Sequence, residues 1–217
     1  MQNNLISELI PVLLIVTNLL LLGSSRMRAC ITLVAAQGIV LGLIPVLLEG
    51  QQFSVTAWFL AIVSITLKGI IFPMLLVRTL RETGTRKEVE PFVGFTLSLL
   101  IGVGFVIFSM WIASRMSLPA QTPIAALMTR AGLATLLIGL FVIVSRRKAL
   151  NQVLGYIVME NGIFAFGAAL VADMPTLVEL GVLLDAFVAV FIMSIAAHQI
   201  SREFDHIDVD QLNTLKG

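Results

Sequence analysis

Three charged side chains lie deep within long apolar runs of this sequence. Lys68 is the fourteenth of about 24 residues in its run, Glu160 the twelfth of about 23, and Asp185 the tenth of about 24. In hydrocarbon, a charge at that depth costs roughly 2.5–3.5 kcal/mol on the insertion scale, so it is normally turned inward, paired or set against water. A carboxylate in a low-dielectric site beside a cation can take and release protons near neutral pH. The three residues therefore predict a proton path.

Composition places these runs in a lipid bilayer. Hydrophobic residues make up 58% of the 217-residue chain and charged residues 12%, and the mean hydropathy is +1.01. Such a chain has too little polar surface for a soluble domain of its length. The sequence predicts an all-α polytopic membrane protein with seven transmembrane helices, each close to the roughly 20 residues that a bilayer requires. The predicted spans cover approximately residues 5–22, 28–48, 55–78, 92–114, 123–145, 149–171 and 176–199.

The basic residues predict the orientation of these spans. Eleven of the 14 Lys and Arg residues follow the first, third, fifth or seventh span, and all these ends face the same side. The positive-inside rule then places the N-terminus outside and the C-terminus in the cytoplasm. No basic residue lies ahead of the first span, and the sequence has no small-residue cleavage site there, so we expect a retained helix and not a signal peptide.

The chain also carries a weak internal repeat. The segments SSRMRACITLVAAQG and SRRKALNQVLGYIVMENG share a Ser–Arg entry, a mid-helix polar residue and a following Gly. Matching the first three spans to the last three makes the fourth span an inverting connector and gives a possible 3+1+3 arrangement of parallel repeats. The predicted units are a first repeat over 1–80, a cytoplasmic loop and connector helix over 81–121, a second repeat over 122–200 and a cytoplasmic tail over 201–217.

Other polar residues could support the charged layer, which is formed by Lys68, Glu160 and Asp185 near the middle of the membrane. Gln37 is the tenth of about 21 residues in its span, and Asn161 directly follows Glu160. Arg130 lies about eight residues, or roughly 12 Å, from the outer end of its span and could reach the layer. His198, near the cytoplasmic end of the last span, could pass a proton to water, although an interfacial histidine also suits an amphipathic anchor.

The sequence contains no visible catalytic centre. Its single cysteine, Cys30, excludes an internal disulfide and cannot supply the cysteine cluster that zinc, nickel or an iron–sulfur centre requires. Gly-rich phosphate loops, nucleophile elbows and ligand-spaced His/Cys groups are absent from the sequence. The net charge of +1 gives no reason to expect a nucleic-acid partner. We therefore expect a chain that is not an enzyme by itself and holds no cofactor.

The sequence leaves two alternative functions open. A pair between Lys68 and a carboxylate could simply fasten helices together, because a buried ion pair fixes geometry even where its net stabilisation is small. A relay is favoured over this structural role because two carboxylates face one lysine, and the excess acid has no obvious central partner except Arg130. A free-standing small-solute uniporter fits the 3+1+3 plan, but its site should offer neutral hydrogen-bonding groups, whereas this layer is ionic.

Four segments carry a resemblance to a known family: SRRKALNQVLGYIVMENG, ELGVLLDAFVAVFIM, ITLKGIIFPMLL and the tail HIDVDQLNTLKG. They resemble the hydrogenase-4 component E family, a membrane subunit of group 4 nickel–iron hydrogenase complexes of the formate hydrogenlyase type, over essentially the whole chain. The last three spans are also similar to the K subunit of respiratory complex I and the C subunit of sodium/proton antiporters. In that comparison Asp185 replaces one mid-membrane glutamate, and Glu160 lies one helical turn after the other glutamate position, which Ile157 occupies.

The resemblance implies a non-catalytic subunit in the membrane arm of a complex I-like assembly, in a bacterial or archaeal cytoplasmic (inner) membrane. Its partners would be antiporter-like subunits, a connecting subunit and a soluble hydrogenase module. Lys68, Glu160 and Asp185 would belong to a lateral chain of charges that moves protons or other ions, with Gln37 and Arg130 as polar support. The nickel–iron site and the iron–sulfur clusters would belong to partner subunits.

Overall fold

The elements of regular structure in the described part of the chain are helices, as the sequence predicts. The computed structural model describes residues 2–44, 46, 55–82, 89, 92–116 and 123–170. Its elements are α1 (Gln2–Gly23), α2 (Met27–Gly42), α3 (Val55–Ile65), a π-helical segment (Thr66–Ile71), α4 (Phe72–Glu82), α5 (Phe95–Arg115), α6 (Pro123–Ser145) and α7 (Ala149–Leu170). The seventh predicted span and the tail, with Asp185 and His198, lie outside the described residues.

Several of these helices are suited to a bilayer. Three stretches in the described part of the chain are long and apolar enough to cross a membrane, namely Ala61–Arg81, Phe95–Arg115 and Ala125–Ser145. Two shorter apolar helices, Leu9–Gly23 and Met27–Gly42, lie within or overlap the first two predicted spans. The chain is therefore a multi-pass membrane protein.

The closest helix contact joins α6 to α7, which follow one another as an antiparallel hairpin. Glycine at four positions removes the side chain where the two backbones meet. An added Cβ would strike the facing helix in each case: Gly132 faces Phe166, Gly139 faces Met159, Gly155 faces Ile143 and Gly162 faces Leu136. The four contacts share one register, which places Glu160 at the level of Ile138.

A second glycine contact brings α2 against the charged part of the third predicted span. Gly38 faces Lys68, and Gly42 faces Ile65, with no room for a Cβ at either position. The two glycines are four residues apart, so they lie on one face of α2 in the small-xxx-small spacing that allows membrane helices to approach closely. The backbone of α2 therefore packs directly beside the lysine.

The third predicted span is continuous from α3 to α4 but changes its winding around Lys68. The amide of Phe72 donates to the carbonyl of Leu67, five residues back, as in a π-helix. Pro73 follows, and because proline has no amide hydrogen it cannot donate to the Gly69 carbonyl as an α-helical ladder requires. The π-helical segment therefore lies where proline interrupts the ladder, and it carries Lys68.

Replacing Gly162 by Ala should destabilise the protein, because the new Cβ would strike the Leu136 backbone and overpacking typically costs about 1–3 kcal/mol. The matched control is Gly104→Ala in α5, where an added Cβ meets nothing within 4 Å. The control should be neutral or slightly stabilising, since alanine favours a helix by up to about 1 kcal/mol over glycine. The measurement is the temperature of half-unfolding in detergent, and equal temperatures for the two variants would contradict the close contact.

Candidate functional site

The centre of the site is a buried ion pair between Lys68 and Glu160. The lysine Nζ lies 2.6 Å from the glutamate Oε1, and the two side chains are only 2% and 1% exposed. At this distance the contact is also a charge-assisted hydrogen bond, which is stronger than a neutral one. The two side chains that the sequence predicts at one depth therefore contact each other, and each compensates the buried charge of the other.

Two further side chains of α7 surround the lysine ammonium. Its Nζ donates to Asn161 Oδ1 at 3.2 Å and lies 5.2 Å from the centre of the Phe164 ring. The ring face attracts the cation, an interaction that strengthens where water is excluded. Phe164 follows Glu160 by four residues, so both lie on one face of α7. This face therefore presents a carboxylate, an amide oxygen and an aromatic ring to one ammonium group.

The helix contacts explain why these side chains meet. Lys68 leaves the π-helical segment on a face that also buries the small residues Ala61 and Ser64. Behind it, Gly38 allows α2 to press against the lysine backbone. On the other side, the glycine contacts of the hairpin hold α7 against α6 and so fix the level of Glu160.

A second buried polar network lies between α1, α2 and α6. Gln37 Nε2 donates to Asn18 Oδ1 at 2.8 Å and to Thr17 Oγ1 at 2.9 Å, and Asn18 Nδ2 donates to Thr135 Oγ1 at 2.8 Å. The Thr135 hydroxyl in turn donates to the Ala131 carbonyl at 2.7 Å. Gln37 is therefore anchored to α1 and, through Asn18, to α6.

Sequence analysis does not single out Asn18 or Thr135. The available signal for Asn18 is an amide side chain far inside the first apolar run, where an unpartnered polar group would be costly. Thr135 gives a weaker signal, because a threonine hydroxyl in a helix can donate to the carbonyl four residues earlier, as it does here to Ala131. Both residues are fully buried.

Of the remaining predicted site residues, Arg130 is described, and it lies at a different level of the bundle. Arg130 is half-buried in α6, and the register of the hairpin places it at the level of Ala168. That level is eight residues, or about 12 Å along the axis, from Glu160. Arg130 Nε lacks a hydrogen-bond partner among the described residues. Asp185 and His198 lie outside the described residues.

Arg146 is a buried cation that the sequence identifies only as a marker of orientation. It lies in the connection between α6 and α7 and is 2% exposed. Its Nη2 donates to the Leu22 carbonyl at 3.2 Å, near the C-terminal end of α1, and its guanidinium carbon lies 5.3 Å from the centre of the Phe95 ring. Burial lowers the pKa of the guanidinium from its usual value. A cation at a helix C-terminus complements the helix dipole, so Arg146 ties the hairpin to α1 and α5.

The titratable groups in contact at this site are one buried carboxylate and one buried ammonium group. Within the described ranges, no group of three or more His, Cys, Asp or Glu residues could hold a metal ion. A carboxylate in direct contact with an ammonium group forms a coupled pair that can hold a proton in more than one arrangement. The surrounding groups are amides, hydroxyls and an aromatic ring, which orient these charges.

Comparisons with known proteins give three matches and one negative result. A family model described as NADH-ubiquinone/plastoquinone oxidoreductase chain 4L matches residues 127–217. The chain is 31% identical over 205 residues to an uncharacterized protein of Mycobacterium tuberculosis, covering 94% of this chain and 92% of that one. It is also 31% identical over 150 residues to Hydrogenase-4 component E of Escherichia coli, covering 69% of each chain. No solved structure matches the chain at a significant level.

The ion pair predicts a distinctive pattern of stabilities. Lys68→Met or Glu160→Gln alone removes one member of the buried pair and deprives the other charge of its 2.6 Å contact, which should destabilise the protein by up to roughly 3–5 kcal/mol. The double variant is neutral and should recover much of that loss. The control is Arg115→Met, which removes an exposed cation at the end of α5 and its contact with the Trp111 ring, and it should change stability by at most about 1 kcal/mol. Thermal unfolding in detergent is the measurement, and single variants as stable as the control would refute the energetic role of the pair.

Proposed function

The chain belongs to the hydrogenase-4 component E family, and we propose that it is a non-catalytic membrane-arm subunit of a complex I-like group 4 hydrogenase, of the formate hydrogenlyase type. In this proposal it contributes charged side chains to a path that moves protons or other ions across the membrane. The observation that carries the proposal is the 2.6 Å contact between Lys68 and Glu160, fully buried in a chain of apolar helices.

The proposed step depends on the coupling between these two charges. A proton that arrives at Glu160 neutralises the carboxylate and removes the counter-charge of Lys68. The ammonium is then drawn to another acceptor, and a second mid-span carboxylate, Asp185, is the one we propose. Loss of the proton from Glu160 restores the original pair. Such exchange between interacting sites is what coupled titration allows.

The π-helical segment supports movement of the lysine. Helical segments of this kind occur frequently at functional sites, and the missing amide hydrogen of Pro73 leaves the winding on its N-terminal side less constrained. Lys68 therefore extends from a part of its helix where the α-helical hydrogen bond from position 73 is already missing. We propose that this segment lets the ammonium change partners.

The proposal includes seven spans in a parallel 3+1+3 repeat, with the N-terminus outside and the C-terminus in the cytoplasm. One structural feature supports the repeat. Gln37–Gly38 and Asn161–Gly162 hold matching places in the two repeated segments, and both glycines lie at close helix contacts. The location would be a bacterial or archaeal cytoplasmic membrane.

In the proposed complex the redox chemistry belongs to other subunits. The nickel–iron site and iron–sulfur clusters would be held by partners, since this chain has a single cysteine and such clusters are typically held by four. The partners we propose are antiporter-like membrane subunits, a connecting subunit and the soluble hydrogenase module.

A purely structural role is the second candidate, and the same contact favours it. Lys68 bonds both Glu160 and Asn161, which would fasten its helix to α7 without any movement of protons. The two functions differ in what an amide replacement does. A relay requires a group that titrates, whereas a fastener requires only that the subunit assembles.

Amide variants separate these two functions. In membrane vesicles that contain the whole complex, Glu160→Gln and Asp185→Asn should lower proton movement per hydrogen turned over by at least about tenfold, since a positioned acid–base group typically contributes more than this. Because Glu160→Gln also destabilises the buried pair, yield on native gels is measured in parallel, and coupling is expressed per hydrogen turned over by the complex that still assembles. The control is Gln152→Met at an exposed position of α7, which should change neither quantity. Normal proton coupling with normal yield in both variants would exclude the relay.

Purification from native membranes tests the assembly. We expect an affinity-tagged chain to be recovered with larger membrane subunits and with a soluble subunit whose cysteine motifs bind a metal. Mass spectrometry of the co-purified proteins is the measurement. Recovery of the chain alone, in stable form, would contradict the proposal and favour a free-standing uniporter.

A further inference from the structure

Three buried amide side chains, Gln37, Asn151 and Asn161, each have one atom without a hydrogen-bond partner among the described residues, and two of them lie near the ion pair. Gln37 has no partner at Oε1, and Asn161 has none at Nδ2. Gln37 is 2% exposed and Asn161 is fully buried, so bulk water does not reach either side chain. A buried polar atom without a partner is strongly unfavourable, and each such atom in a native structure calls for an explanation.

Chemistry fixes the orientation of both amides. The Lys68 ammonium can only donate, so Asn161 must turn its oxygen to the lysine and its NH₂ away. The Thr17 hydroxyl donates to the Leu13 carbonyl at 2.6 Å, so it accepts from Gln37 Nε2 and the glutamine oxygen is left over. One network thus ends in an unused donor, and the other ends in an unused acceptor.

The helix contacts place the two amides near one level of the bundle. Gln37 is next to Gly38, which faces Lys68, and Asn161 is bonded to that same lysine. On the opposite side of the second network, the hairpin register sets Thr135 at the level of Ile163, two residues from Asn161. Both networks therefore border α2, close to the level of Lys68.

We propose that an ordered water molecule bridges the two amides, accepting a hydrogen bond from Asn161 Nδ2 and donating one to Gln37 Oε1. A buried water typically makes about three hydrogen bonds to polar groups that otherwise lack partners. A donor on one side and an acceptor on the other are the complementary groups that one water can satisfy together. The bridge joins the Lys68–Glu160 pair to the Gln37–Asn18–Thr135 network.

The bridge has a consequence for function, which rests on the proposed proton path. Amides do not titrate near neutral pH, so Gln37 and Asn161 act as positioning residues that hold the water beside the charged pair. In this proposal the water holds Asn161 with its oxygen turned towards Lys68 and so keeps the charged pair in the arrangement that proton transfer at Glu160 requires. Asn18 and Thr135 contribute indirectly, because they hold Gln37 in place.

The first test is structural and does not depend on proton movement. A cryo-electron microscopy map of the native complex, at a resolution that shows waters, should contain a separate density within about 3.2 Å of both Gln37 Oε1 and Asn161 Nδ2. A direct bond between the two amides would overturn the proposal. So would a side chain that fills the gap, including one from outside the described residues.

The second test uses Gln37→Met in vesicles that contain the whole complex. Methionine keeps the length but removes the acceptor, so proton coupling should fall roughly two- to tenfold, the factor for one hydrogen bond. The matched control is Gln152→Met, at an exposed position of α7, which should behave as wild type. Unchanged coupling in Gln37→Met, with normal yield, would overturn the bridge.

Two outcomes of these tests need a further measurement to be interpreted. If Gln37→Met lowers the yield of the complex, Gln37→Asn keeps the amide but shortens it, and normal coupling in that variant would also count against the bridge. If Glu160→Gln leaves coupling normal, the proposed function has failed, and the density in the map alone then decides whether the water exists. The two failures are therefore distinguishable.

Discussion

The fold depends on one electrostatic constraint, which is that Lys68 and Glu160 must touch. Either charge alone would be strongly disfavoured among apolar helices, and only direct contact removes most of that cost. Because the two residues lie on different helices, their contact fixes the distance, the rotation and the level of those helices. Packing elsewhere in the bundle has to be compatible with this single contact.

Glycine residues allow the helices to pack closely enough for Lys68 and Glu160 to touch. Gly38 lets α2 lie against the backbone that carries the lysine, and Gly139 and Gly162 let α6 lie against the backbone that carries the glutamate. A membrane offers little hydrophobic force to press helices together, so close van der Waals approach and polar contacts must hold them. The glycines and the ion pair therefore act together, the first allowing an approach that the second requires.

Part of this structure could be predicted from the sequence. The predicted span 123–145 coincides with α6, because Pro123 suits the first turn of a helix and the charged residues after Ser145 cannot continue into hydrocarbon. The shared depth of Lys68 and Glu160 follows from counting, since the rise per residue of a helix is fixed.

Other features depend on neighbours that a sequence does not identify. A glycine can serve a turn, a bend or a contact, so the register of the hairpin became clear only from the residues that its four glycines face. The level of Arg130 follows from that register. The π-helical segment was not predictable from Pro73 alone, because a proline can kink a helix in several ways. The burial of Arg146 was not predictable either, because an arginine at the end of a helix is usually exposed.

The order of synthesis gives the ion pair a further consequence. Lys68 precedes Glu160 by 92 residues, so at roughly 5–20 residues per second a ribosome needs about 5–18 s to make the glutamate after the lysine. Throughout that interval the early helices hold a basic side chain in the bilayer with its acidic partner not yet made. A chain that stops before α7 keeps that defect permanently. An unfinished chain thus differs from a finished one by an unmatched intramembrane charge, a chemical difference that membrane quality control could recognise.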